Sequence, residues 1–460
     1  MMSLALAADA LHGTLQGNDA VFTGVSIDTR ALKQSELFVA IHGPNHDGHH
    51  YLAEAIAAGA SGALLSRQIA TALPYVLVAD TRRALGELAS FWRQQFDIPL
   101  VAITGSNGKT TVKEMLASIL WQRGRGCVTQ GNLNNDIGMP LTLLKLRKED
   151  RYAVIEMGMN HAGEIDYLTR LARPTAALIT NAGEAHLAGL GTIEDVARTK
   201  GEIFAGLVNG ATAVINADDP FCGLWKQLAA PHRVLTFGLS ERADVYAQYT
   251  LDRNGSAVHM QAPQGIVELR LPLLGRHNVM NALAASAAAL AVGAPLDDIA
   301  PALTKLKAIA GRLEVKPGVS GACVIDDTYN ANPASLAAGL QVLKDFAGER
   351  LLVLGDMGEL GAQAPALHQR IGELARTLGI QRVFGLGELA RQAVAAFDPD
   401  GRRGARHFES PEALVDALHE AMHAELTVLV KGSRMMRMER VVDAIVRTDA
   451  REGIAPGRTH

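Results

Sequence analysis

Short apolar runs alternate with amphipathic stretches along this chain, and the pattern divides it into three sections. Up to about residue 95, "ELFVAI", "GALLSR" and "YVLVAD" read as short strands, with a helical "YLAEAIAAGA" among them. At "IPLVAITG" a second section begins, in which "YAVIEMG", "AALITN" and "TAVINAD" each end in polar or glycine residues and helical segments separate them. That alternation predicts a parallel sheet whose ligands sit beyond the carboxyl ends of the strands. The section closes near residue 308, after the alanine-rich "NALAASAAALAVGAPL". This run stops at a proline after about fifteen residues, short of the roughly 20 that a membrane-spanning helix needs, and predicts a packed helix. The third section opens at "GACVIDDTYNANP" and repeats the theme with "ERLLVLGDMGELG", "QRVFGLG" and "ELTVLVKGSR", predicting a second doubly wound sheet. The expected fold class is therefore α/β in three domains, over residues 1–95, 96–308 and 309–460.

One segment breaks its own pattern. In "TIEDVARTKGEIFAGL", residues 192–207, Thr192 and Asp195 are spaced as a capping box, and Ile193, Val196, Ala197, Ile203, Phe204 and Leu207 recur as a buried helical stripe. Lys200 falls inside that stripe. An unpartnered buried ammonium costs several kcal/mol, so the lysine needs a reason.

Composition narrows the function classes. With 48% hydrophobic and 20% charged residues among 460, the chain is globular. Its 44 basic and 48 acidic residues leave a formal charge of −4, so there is no general attraction to nucleic acid or an anionic membrane, and an anionic ligand must be met by local groups. Cys127, Cys222 and Cys323 are widely separated and lack CxxC spacing, which predicts neither a disulfide framework nor a zinc site and fits a reducing cytosol. The opening "MMSLALAADALHG" has no basic n-region, so no secretion signal is expected.

The densest chemical signal is "VAITGSNGKTTVKEMLASIL", a strand, a glycine-bearing loop and an amphipathic helix in succession. That context suits a phosphate cradle: backbone N–H groups and a helix N-terminus face the anion, Lys109 reaches the terminal phosphates and Thr110 can ligate Mg²⁺. Ile103 stands where the longer phosphate-loop pattern has glycine, so this is the shorter GxxGKT form. The loop predicts nucleoside triphosphate binding without saying what the phosphate drives, since a switch, a motor and a synthetase can all carry it. Glu156 ends the next strand, where a carboxylate suits Mg²⁺ or a metal-bound water, and His186 and Lys200 follow on the same rim. Lys200 admits two readings: a cation paired with a phosphate or carboxylate, or a desolvated amine neutral enough to react with CO₂ and become an anionic carbamate.

In order, "TGSNGKTT", "GNLNNDIGMPLTLL", "EMGMNHAGEI", "TNAGEAHL", "TKGEIF", "GRHNVMNALAA", "DDTYNANP", "VLGDMGELG" and "KGSR" span nearly the whole chain. Together they resemble the motifs of the Mur ligases of peptidoglycan synthesis, and among them the members that add D-alanyl-D-alanine. The resemblance implies an N-terminal α/β domain for the UDP-sugar, a central parallel-sheet ATPase domain with the phosphate loop, and a C-terminal Rossmann-like domain that brings the amino substrate and closes over the nucleotide. It puts ATP on Gly105, Ser106, Asn107, Gly108, Lys109, Thr110 and Thr111, with Asn278 and Asn281 on the adenine side and Arg312 and Asp327 reaching in from the C-terminal domain. Two Mg²⁺ ions are implied, one on Thr110 and a second served by Glu156, His186 and Lys200 as a carbamate. Ser26, Asp28, Thr29 and Arg30 in "SIDTR" match the family's UDP-side segment, with Thr29 where serine is common. Asn132, Asn134 and Asn135 in "GNLNN" are expected on the sugar-peptide side, and Tyr329, Asn330 and Asn332 near the incoming dipeptide.

The implied activity is ATP-dependent amide synthesis through an acyl phosphate, joining D-alanyl-D-alanine to UDP-N-acetylmuramoyl-tripeptide. Lys109, Glu156, His186 and Lys200 are the expected catalytic residues, in a cytoplasmic monomer without a nucleic-acid partner or membrane insertion. The nearest alternatives are ligases of the same superfamily that add diaminopimelate, lysine or glutamate. The diaminopimelate-adding relative carries a "DNPR"-type motif where this chain has "NANPAS". A phosphate-loop switch or motor would instead hydrolyse nucleotide without forming an amide. "HDGHHY", with His46, His49 and His50, matches a turn of the family better than a metal site, and "NADDP" reads as a turn and helix cap.

Overall fold

A computed structural model describes residues 1–43, 46–184 and 187–447. In the N-terminal section the three apolar runs become the neighbouring parallel strands Leu37–Val39, Gly62–Leu65 and Tyr75–Leu77. Val25–Ser26 extends the sheet in parallel at one edge, and Thr14–Gln16 closes the other antiparallel.

The central sheet holds six parallel strands in the order Arg233–Phe237, Thr212–Asn216, Ala176–Ile179, Leu100–Thr104, Ala153–Glu156, Cys127–Val128. The fully buried Leu100–Thr104 strand lies inside it. From there the chain runs to the Cys127–Val128 edge, returns through Ala153–Glu156 and crosses to the other side. Such a reversal opens a crevice at the carboxyl ends of the strands, which is where the phosphate loop begins. The alanine-rich segment is the helix Arg276–Ala291, buried along almost its whole length and packed on the helix Lys109–Trp121. A feature absent from the sequence reading is an antiparallel meander, Tyr246–Asp252, Gly255–Ala262 and Gly265–Leu271. Its middle strand alternates buried and exposed positions, and Val258 and Met260 join the same core as the Arg276–Ala291 helix.

The C-terminal sheet has five parallel strands, Cys323–Asp326, Leu426–Lys431, Glu349–Gly355, Arg382–Leu386 and Arg406–Phe408, as the repeated theme predicts. An antiparallel edge strand, Glu314–Pro317, begins before the run at which the apolar pattern opens this section. Only half of it is covered, and its Pro317 suits an edge, so it carries little apolar signal.

The segment around Lys200 forms a helix, Ile193–Gly201, that tightens into a 3₁₀ turn over Glu202–Gly206. Thr192 caps it by accepting the Asp195 N–H at 3.1 Å, while its own hydroxyl donates to the Asp195 carboxylate at 2.5 Å. The side chains thus pair with each other in place of the reciprocal backbone bond of a capping box. Val196, Ala197, Ile203 and Phe204 are buried as the stripe predicts, and Lys200 is buried with them at 1% exposure.

Candidate active site

The phosphate loop is held open by its neighbour strand. Gly105 and Gly108 take φ of 149° and 83°. A β-carbon on Gly105 would lie 1.8 Å from Thr180 Oγ1, and one on Gly108 2.4 Å from Asn281 Oδ1, so both positions exclude a side chain. Thr180 Oγ1 donates to the Asn107 carbonyl at 2.6 Å, and the Asn107 N–H donates to Asn181 Oδ1 at 3.0 Å. The Ser106 hydroxyl accepts the Gly183 N–H at 3.0 Å. This stitching shapes the loop before any anion arrives. Thr111 is buried behind the first helical turn. Lys109 curls back so that Nζ donates to the Gly105 carbonyl at 2.7 Å. Burial pushes its pKa down, with Glu156 opposing the shift, so an ammonium here gains from an anion in the loop.

Glu156 stands at the end of the adjacent strand. Its carboxylate accepts from Thr110 Oγ1 at 3.0 Å and from Asn134 Nδ2 at 2.9 Å, and its own N–H donates to Thr129 Oγ1. A hydroxyl and a carboxylate this close form a hard oxygen donor set that fits Mg²⁺, an ion usually held by one or two carboxylates together with substrate phosphates. Among the described residues no group of three or more His, Cys, Asp or Glu is placed to hold a metal by itself. Lys200 lies within electrostatic reach of Lys109. Burial holds its pKa well below the ordinary lysine value, and the Lys109 ammonium adds to the shift. His186 lies outside the described residues.

A cavity of about 740 Å³ gathers these groups with side chains from the rest of the chain. Arg82 comes from the N-terminal section; Lys109, Thr110, Asn134, Asn135 and Glu156 from the central one; Arg312, Tyr329, Asn330 and Asn332 from the C-terminal one. Asn332 caps the helix Pro333–Lys344 with Oδ1, and its Nδ2 donates across the domain boundary to Asn107 Oδ1 at 2.8 Å. Arg312 stacks on the Tyr329 ring at 4.1 Å, and its buried Nε has no hydrogen-bond partner, which leaves an open donor. Asp327 pairs with Lys431 at 2.6 Å, and Lys431 also donates to the Asn330 carbonyl. Burial pushes the Asp327 pKa up and that of Lys431 down, because low dielectric penalises both charges.

Other expected site residues lie away from this cavity. Asn278 and Asn281 are buried and bonded inward, Asn278 to the Leu274 carbonyl and Asn281 to Asn278, so their amides serve the helix packed behind Gly108. Ser26, Asp28, Thr29 and Arg30 form a self-contained turn, with the Asp28 N–H on Ser26 Oγ and Arg30 gripping the Asp28 carboxylate. Asn132 is exposed on the loop outside the cavity lining, whereas Asn135 belongs to that lining and also accepts the Gly138 N–H at the start of the next helix. In "HDGHHY", Asp47 caps a turn and His49 is buried between Asp47 and the Ser66 N–H, a structural network. In "NADDP", Asp219 accepts the N–H groups of Phe221 and Ala182, as a turn and cap residue. The sequence reading missed Thr180 and Asn181, which the polar end of "LITN" signals. It also missed Arg82 and Lys431, whose partners are remote in the chain.

Family models match three stretches: "Mur ligase family, catalytic domain" over 21–93, "Mur ligase middle domain" over 103–289 and "Mur ligase, glutamate ligase domain" over 311–434. The UDP-N-acetylmuramoyl-tripeptide–D-alanyl-D-alanine ligase of Escherichia coli is 43% identical over 448 residues, covering 96% of this chain and 98% of that protein. The Haemophilus influenzae protein of the same name is 39% identical, covering 95% and 96%. A crystal structure of MurF from Acinetobacter baumannii superposes with a TM-score of 0.90 at 34% identity, over 96% of this chain and 98% of that one. MurF from Thermotoga maritima in complex with ADP gives 0.81 at 27% identity, over 92% and 96%.

Proposed function

The chain belongs to the Mur ligase family, and from that premise we propose that it is the ATP-dependent ligase joining D-alanyl-D-alanine to UDP-N-acetylmuramoyl-tripeptide. The observation that carries the reading is the single cavity in which the phosphate loop meets Arg82 from one side and Arg312 and Asn332 from the other. Amide synthesis driven by ATP has to assemble a carboxylate, a triphosphate and an amine, and a cavity shared by three sections suits three reactants. The names of the relatives supply the identities of the peptide and dipeptide, and the ADP complex of one relative supports ATP as the nucleotide. We assign the UDP-sugar to residues 1–95, ATP to 96–308 and the amino substrate to 309–460.

In this reading the peptide's terminal carboxylate attacks the γ-phosphorus of ATP, ADP leaves, and an acyl phosphate forms. The dipeptide amine then attacks the acyl carbon, loses a proton, and expels phosphate. Lys109 leaves the Gly105 carbonyl to meet the terminal phosphates, and the loop N–H groups hold the β-phosphate. Arg312 turns its open Nε toward the nucleotide, and the Asn332–Asn107 bond ties the amine-carrying domain to the loop. Thr110, Glu156, His186 and Lys200 as a carbamate are the residues assigned to two Mg²⁺ ions. When bound, Mg²⁺ supplies positive charge that lets two anions approach. We assign the chain to the cytoplasm, where its three unpaired cysteines would stay reduced, and take it to act as a monomer.

The test is phosphate release by the purified protein with ATP. Release that requires both UDP-N-acetylmuramoyl-tripeptide and D-alanyl-D-alanine is expected. Equal release without the dipeptide would refute the ligase reading in favour of a nucleotide switch.

A further inference from the structure

Among the described residues, Arg82 is the sole contribution of the first 95 to the cavity wall. It stands in the first turn of the helix Thr81–Arg93, and its guanidinium grips both carboxylate oxygens of Asp136, at 2.7 Å for Nη2–Oδ1. Asp136 ends "GNLNND" and lines the same wall. The two side chains are 49% and 30% exposed, so the pair stays open to a ligand. Of the other carboxylates, Glu164 in the same wall is engaged by the N–H groups of Asn160 and His161, and Asp80, which acts on Arg82 from the helix cap, by the N–H groups of Arg82 and Arg83. A substrate that extends from the N-terminal section to the phosphate loop therefore passes a cation and an anion set side by side.

Resting on the ligase reading above, we propose that Arg82 and Asp136 determine specificity at the third residue of the tripeptide, selecting the distal amino-carboxylate of meso-diaminopimelate over the ammonium of lysine. The distal end of diaminopimelate is a zwitterion, with the charge pattern complementary to this pair. Exchanging the Arg82–Asp136 contact for carboxylate on Arg82 and ammonium on Asp136 leaves every charge partnered, and the guanidinium fork can hold a carboxylate in two-point fashion. Lysine offers an ammonium alone. To use Asp136 it has to displace Arg82, leaving a guanidinium without its carboxylate, and that penalty discriminates against it. Holding the distal carboxylate at Arg82 also leaves the other carboxylate of that residue free for the phosphate loop.

The experiment compares kcat/KM for UDP-N-acetylmuramoyl-tripeptides carrying meso-diaminopimelate, lysine, or diaminopimelate with its distal carboxylate amidated. The wild-type chain is expected to favour the free diacid about tenfold or more over both others. Arg82→Gln should bring these ratios to about threefold or less, by raising KM for the diacid peptide while KM for ATP changes less than about twofold. Asp136→Asn should narrow them too. Equal treatment of the three peptides by the wild type would overturn the proposal, as would Arg82→Gln lowering all three alike, which would make the pair only a bridge between domains. No dipeptide-dependent turnover with any peptide would overturn the ligase reading itself, and this inference with it.

Discussion

Lys431→Met isolates the buried pair that braces the C-terminal wall of the cavity. The Lys431 and Asp327 side chains are 2% and 9% exposed and 2.6 Å apart. Removing one partner of such a pair leaves an uncompensated buried charge, at a typical cost of about 3–5 kcal/mol. The bond from Lys431 Nζ to the Asn330 carbonyl is lost as well, worth about 1 kcal/mol, while the methionine stem keeps most of the apolar contact. The expected destabilisation is about 4–6 kcal/mol, centred on the Leu426–Lys431 strand and on the end of the Cys323–Asp326 strand that Asp327 follows. Hydrogen exchange reads this locally: amide protection in those strands should fall by about three orders of magnitude or more, while Leu100–Thr104 in the central sheet is little changed. Adding Asp327→Asn to Lys431→Met removes the stranded charge and should recover about half of the loss or more. Protection falling by less than about fivefold in the single variant, or no recovery in the double, would refute the argument that burial makes this pair interdependent.

Gly105→Ala should raise KM for ATP by at least about tenfold in steady-state kinetics, because a β-carbon 1.8 Å from Thr180 Oγ1 forces the loop off its anchor. Lys200→Ala should lower ligation at least about a hundredfold with the fold retained by circular dichroism, and short carboxylates such as formate should restore part of it. Unaltered turnover would make the lysine purely structural. His277 is held down to about 4 by burial and by the Lys431 ammonium, below its ordinary value of 6.5. Its folded pKa is the lower one, so its contribution is fully present above about pH 6.5 and is lost as pH falls toward 4, by at most about 3 kcal/mol. Urea midpoints measured from pH 7 to pH 4 should therefore fall less steeply in His277→Gln than in the wild type.

Local pattern carried much of this protein. The phosphate loop needs a strand, two glycines in left-handed geometry and a helix N-terminus, all within a dozen or so neighbouring residues, so it was legible in "VAITGSNGKTT". The parallel strands and the packed alanine helix were legible for the same reason, since burial on every side writes continuous apolar runs. The stripe around Lys200 was read as buried, and all of it but the half-buried Ile193 is, although only the folded chain puts Lys109 close enough to add charge repulsion to the effect of burial on Lys200. The meander over Tyr246–Leu271 went unread because an edge sheet with one wet face leaves only alternation, a weaker signal than a continuous run.

What tertiary structure decided was partnership between remote residues. Asn278 and Asn281 carry a motif signal for the adenine side, and helix packing sets the Asn278 amide on the Leu274 carbonyl and the Asn281 amide on Asn278. Arg82 carried no local signal, and only the meeting of two sections set it against Asp136, 54 residues along the chain. Lys431 and Asp327, like Asn332 and Asn107, are joined by sheet order and domain contact. Hydrophobic period and turn chemistry act over a few residues, so the chain itself determines its elements and its phosphate loop. A charge's partner depends on which distant element is brought within a few ångströms, and that was decided only when the three sections closed on one cavity.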